Sequence, residues 1–242
     1  MRRPTPSLPR VYVSLGDDLS HDLEGGSRGA AALLARNADL RFPKFAGLDL
    51  ATRWPGYRHV ALATAGASAA AVAMRQVPLI EDHAGRIALV TLTVGSVEFG
   101  DLAGWEMQAG DVAAHDLRAS IEEILEEVRR HAPKAAIILG NLPDPTDETG
   151  DESVYGTPWD DALEILDDLN EAIDAAASEY DALVADIHAH FMGHGIAAKD
   201  EGHPSHDERD PTVWYAEGMV PNDRGASEIR RLFWDGLEEF EA

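Results

Sequence analysis

The chain has 242 residues, no cysteine and a formal net charge of −24 at pH 7. Disulfides, thiolate metal ligands and a cysteine nucleophile are therefore excluded. The carboxylate excess argues against nucleic acid or an anionic membrane as partner, because phosphates would be repelled over most of the surface. Lysine occurs only at Lys44, Lys134 and Lys199 while Arg and Ala are plentiful. Adaptation to high salt and a GC-rich genome both produce that balance. No apolar run is long enough to cross a bilayer, and MRRPTPSLPR lacks the apolar stretch of a secretory leader, so the expectation is a cytoplasmic protein. The length suits one domain over 1–242.

In chain order, five apolar runs have strand length: Val11 to Leu15, Val60 to Ala65, Ile87 to Val94, Ala135 to Gly140 and Ala182 to Ile187. They are nearly continuous rather than alternating, the pattern of strands covered on both faces by helices. Helical stripes lie between and after them. One runs Leu117, Ile121, Ile124, Leu125, Val128, a second Ala162, Leu163, Leu166, Leu169, Ile173, and a third Ile229, Leu232, Phe233, Leu237, Phe240, each with the spacing of three and four that makes a single buried face. The alternation predicts an α/β fold, a three-layer αβα sandwich around a five-stranded parallel sheet. In such folds ligands bind beyond the carboxyl ends of the strands. The irregular segment Gly193 to Val213, rich in His, Asp, Gly and Pro, reads either as disordered or as a lid over the site.

The first strand leads into Gly16-Asp17-Asp18-Leu19, which resembles the first sequence block of the SGNH/GDSL hydrolases, where the third residue is the nucleophilic serine. Ala65-Gly66-Ala67-Ser68 is similar to the second block, whose glycine amide enters the oxyanion hole, and this places Gly66 there. The third block, Gly-Xaa-Asn-Asp, corresponds to Gly95-Ser96-Val97-Glu98, with Val97 in place of the asparagine. Ile138 to Thr146 is similar to the family's fourth-strand exit. The last block, Asp-Xaa-Xaa-His-Pro-Asn, corresponds to Glu217-Gly218-Met219-Val220-Pro221-Asn222. Glu217 then takes the aspartate's place and Val220 the histidine's. The resemblance implies the flavodoxin-like SGNH topology and a small ester-like or acylated substrate. It also implies that nucleophilic hydroxyl, asparagine donor and general base are all replaced, and serine attack needs both the hydroxyl and the base.

Three readings of the altered site stand. In the first, a hydrolase works by non-serine chemistry: Asp18 is nucleophile or base, Glu217 orients, and His203, His206 or His194 from the irregular segment takes part. In the second, a catalytically silent protein keeps the pocket for a small molecule, with Val97 and Val220 making it more apolar and Trp214 and Tyr215 lining it. In the third, Asp17, Asp18 and Glu98 gather around a divalent cation such as Ca²⁺ or Mg²⁺. Against this, carboxylates in turns commonly cap backbone amides. His188 and His190, if the last strand reaches them, share a face but match no zinc signature. Otherwise no cofactor is expected, and the sequence does not mark an oligomeric surface.

Overall fold

The structure is a computed structural model that describes residues 9–22, 28–104 and 106–242; residues 1–8, most of the segment read for a leader, lie outside the described residues. Five parallel strands form one sheet: β1 (Val11–Gly16), β2 (Arg58–Ala61), β3 (Ile87–Thr93), β4 (Ala136–Gly140) and β5 (Leu183–Ala185), in the order β2-β1-β3-β4-β5. β1 and β4 are buried throughout and β3 nearly so, whereas the edge strand β2 is half exposed. This is why the central runs read so clearly in sequence and β2 did not. The order turns back on itself between β1 and β3, and the crevice at such a switch point is where doubly wound sheets bind ligands.

Nine α-helices accompany the sheet among the described residues: α1 (Ala30–Ala35), α2 (Leu50–Arg53), α3 (Ala69–Ala71), α4 (Ser96–Asp101), α5 (Met107–His131), α6 (Glu152–Tyr155), α7 (Ala162–Glu179), α8 (Ile187–Phe191) and α9 (Asp223–Glu241). α5 buries Leu117, Ile121, Ile124, Leu125 and Val128, the predicted stripe, and packs along α7. Their close approach requires Gly110, where a Cβ would lie 2.6 Å from Ile165 Cγ1. α9 packs on α1, β4 and β5. Asn222 caps it, its side-chain oxygen accepting from the amides of Arg224 and Gly225. Phe240 of its expected stripe is exposed, and Arg230 is buried in its stead, with its guanidinium 3.8 Å from the Phe45 ring centroid. Burial pushes that arginine's pKa down to about 10; it donates to Ser227 Oγ and Leu48 O rather than to a surface acid.

Two strand ends differ from expectation, and both differences shape the site. β2 begins at Arg58 and stops at Ala61, because Leu62 and Ala63 both donate to Ser14 O and Thr64 then donates to Gly16 O. That bulge swings the following loop, with Gly66, across the end of β1. β5 stops at Ala185, where Asp186 caps α8 by accepting from Ala189 N. His188 and His190 therefore sit on a helix. Their rings bond to Leu142 O and to Glu228 Oε2 respectively.

The segment Gly193 to Val213 is neither a lid nor unstructured. Buried Asp147 accepts three backbone amides from it, Gly193 at 2.8 Å, Gly195 at 3.1 Å and Ala197 at 2.7 Å. A two-stranded antiparallel hairpin follows, β6 (Tyr215–Glu217) and β7 (Val220–Pro221).

Candidate active site and binding cavity

Gly16 ends β1 at φ 126°, and a Cβ there would lie 2.2 Å from Thr93 O. Only glycine fits, since both the space and the left-handed backbone exclude a side chain. The chain can then turn sharply, and the next two acids separate. Asp17 points inward and is fully buried; it accepts from Thr93 Oγ1 at 2.8 Å, Ser96 Oγ at 2.6 Å and Leu19 N at 3.2 Å. Burial outweighs these donors and pushes its pKa up to about 6. Its job is to tie the β1 exit to the β3 exit.

Asp18 points the other way, into a cavity of about 310 Å³. Its Oδ2 accepts from Gly66 N at 2.7 Å, the amide delivered by the β2 bulge. Gly95, at φ 111°, turns β3 into α4, which presents Ser96, Val97 and Phe99 to the same cavity. Glu98 faces away from it. Its Oε1 accepts from Ala69 N at 2.7 Å at the start of α3, and its Oε2 is buried without a partner among the described residues. Burial pushes its pKa up. Asp18 and Glu98 thus hold the first and last amides of the Gly66 to Ala69 loop.

The hairpin supplies another wall with Glu217, Gly218, Met219 and Val220, and the stretch from β4 to α7 supplies Pro145, Val154, Tyr155 and Trp159. Phe99, Tyr155 and Trp159 form one aromatic cluster, with ring centroids 4.7 Å apart for Phe99 and Trp159 and 5.4 Å for Tyr155 and Trp159. Sequence reasoning missed this trio. The signal available was Tyr155-Gly-Thr-Pro-Trp159, two aromatics flanking turn residues immediately before a helix.

Of the residues singled out in sequence, Asp18, Val97, Glu217 and Val220 line the one cavity, and Gly66 touches it through Asp18. His203 and His206 do not line it. Each bonds to its own loop through Nδ1: His203 Nδ1 accepts from Ser205 N, and His206 Nδ1 bonds to Ala197 O at 2.7 Å, while His203 Nε2 is buried without a partner among the described residues. His194 stacks on Trp214, ring centroids 3.4 Å apart, and both are buried, which makes Trp214 a core residue packed against Phe191 rather than a cavity wall. Among the described residues no histidine, lysine or arginine lines this cavity. Asp17, Asp18 and Glu98 bind three different sets of donors, and among the described residues no three metal-ligating side chains converge.

A serine–imidazole hydrogen bond does exist elsewhere, Ser14 Oγ to His59 Nε2 at 3.0 Å. Ser14 is 1 % exposed, and His59 stacks on Tyr12. Desolvation pushes the His59 pKa down to about 4. Neither lines the cavity.

The profile of the GDSL-like Lipase/Acylhydrolase family matches residues 14–207, a span that includes the Gly16 turn, the Gly66 loop and the Gly95 turn. Among solved structures, phospholipase A1 from Streptomyces albidoflavus NA297 is similar at 20% identity and a TM-score of 0.57, over 91% of this chain and 95% of that one. An extracellular lipase from Streptomyces rimosus is similar at 16% identity and TM-score 0.58, over 95% and 99%. The acetyl xylan esterase AlAXEase is similar at 13% identity and TM-score 0.64, over 93% and 98%. These likenesses speak for the shared fold. No curated protein sequence matches the chain. With the flavodoxin-like strand order, the glycine turns at the β1 and β3 exits and this profile match, the chain belongs to the GDSL-like lipase/acylhydrolase family.

Proposed function

We propose that this family member holds a small, largely apolar molecule in the Asp18 cavity and has given up the serine-esterase mechanism. The observation that carries the reading is the hydrogen bond from Gly66 N to Asp18 Oδ2. Acyl transfer needs an activated nucleophile, a base to take its proton and donors aimed at the developing oxyanion. Here the β1 turn presents a carboxylate, the amide that would face an oxyanion already binds that carboxylate, and among the described residues no imidazole lines the cavity. A resident anion on the donor opposes a second one arriving there. Val97 and Val220, together with the Phe99, Tyr155 and Trp159 cluster, leave a mostly apolar wall, which is what a small-molecule pocket needs.

A second reading keeps hydrolysis and makes Asp18 the base or nucleophile toward a small ester-like substrate, with Glu217 orienting it. The placement of both carboxylates on the cavity favours it. A fluorescent apolar probe such as N-phenyl-1-naphthylamine separates a working pocket from an idle one. Bound fluorescence in the wild type that disappears in Val97→Trp, whose indole fills the cavity, supports ligand binding. Equal fluorescence in both proteins, or none in the wild type, overturns it.

A further inference from the structure

The two ionisable acids on the wall, Asp18 and Glu217, enter from different elements, one at the β1 turn and one from the β6–β7 hairpin. No basic side chain lines the cavity with them among the described residues, so their charge meets no cationic partner on the wall. Arg224, in the first turn of α9, is paired with Asp210 and Glu228. Gly66 N satisfies Oδ2 of Asp18, and among the described residues Oδ1 accepts no hydrogen bond and is left to face a ligand's charge. Apart from Ser96, whose hydroxyl is bonded to Asp17, the rest of the wall is largely apolar and aromatic, with Phe99, Tyr155, Trp159 and Met219 foremost. Aromatic faces attract cations, a thioether packs adaptably against alkyl groups, and carboxylates repel anionic ligands such as free acids.

Resting on the ligand-binding reading above, we propose that the cavity is a site for a hydrophobic ammonium compound, an alkyl chain or ring carrying one cationic nitrogen. The cationic nitrogen sits between Asp18 and Glu217, and the apolar body lies against the aromatic cluster. No covalent step is involved.

The test uses titration calorimetry on the whole chain at one fixed ionic strength, with three probes of equal chain length: octyltrimethylammonium, 1-octanol and octanoate. The wild type is expected to bind the ammonium about tenfold or more tightly than the alcohol, and octanoate least of all. In D18N/E217Q the ammonium and alcohol are expected to come within about twofold of one another. Tetramethylammonium, which has the charge without the chain, is expected not to bind detectably. Octanol binding as tightly as the ammonium overturns the cationic assignment and leaves the cavity as a binding site. No heat from any probe overturns both readings. Undiminished ammonium binding in D18N/E217Q or in Val97→Trp assigns the cation to the acidic surface at large and also overturns the proposal.

Discussion

Replacing Asp17 by asparagine removes a charge from the interior at the root of the site without removing its shape. The wild-type carboxyl is wholly buried and its pKa stands near 6 instead of 3.8. A rise of that size corresponds to about 3 kcal/mol between the two protonation states. The sign follows from proton binding. Between pH 4 and 6 the folded chain holds a proton on Asp17 that the unfolded chain has released, so stability falls as pH rises through this window. The contribution is therefore fully present below about pH 4 and lost above about pH 6. Asparagine keeps an acceptor for Thr93 Oγ1 and Leu19 N, and the Ser96 hydroxyl can turn to accept from its amide nitrogen. Urea denaturation of both proteins from pH 3.5 to 7.5 at constant high salt gives the difference directly. The stability of the wild type minus that of D17N is expected to decline by about 3 kcal/mol between pH 4 and pH 7. Parallel curves would refute the reasoning. A difference that grows with pH would show that the three donors hold Asp17 ionised against its burial.

Other outcomes follow from the same geometry. Gly16→Ala places a Cβ 2.2 Å from Thr93 O at φ 126° and is expected to cost about 3 kcal/mol or more in thermal or chemical unfolding. Asp147→Ala strips the acceptor from three loop amides, which is expected to cost about 3 kcal/mol or more and to speed proteolysis within 193–213. Asp18→Ser restores a hydroxyl but leaves Val97 and Val220 in place; p-nitrophenyl ester turnover by this variant is expected to stay at background, and strong turnover would contradict the account.

The layered fold was legible because it depends on long runs of buried apolar residues. β1, β3 and β4 and the stripes of α5 and α7 were read nearly to the residue, because burial on two faces or along one stripe leaves little freedom of composition. β2 was displaced by a few residues and β5 drawn two residues too long at its end, since an edge strand tolerates Arg58 and His59 and strands end where a bulge or a cap intervenes. The site divided in the same way. Residues fixed by strand-end turns, Asp18, Gly66, Val97 and Glu217, were legible through their motifs. The aromatic trio was not, because Phe99 and Trp159 come together only through tertiary packing of α4 on the loop before α7. The histidine-rich segment attracted a catalytic reading, but neither His203 nor His206 lines the cavity. What holds it in place is Asp147, an acid with nothing in the surrounding sequence to mark it.

On the proposed reading Asp18 serves the pocket rather than a reaction. A panel of small acyl, phosphoryl and glycosyl esters, assayed with wild type and Asp18→Asn side by side, tests it most directly. The wild type is expected to show no turnover above that of the asparagine variant. Turnover in the wild type that the substitution abolishes would contradict it and make Asp18 a catalytic residue.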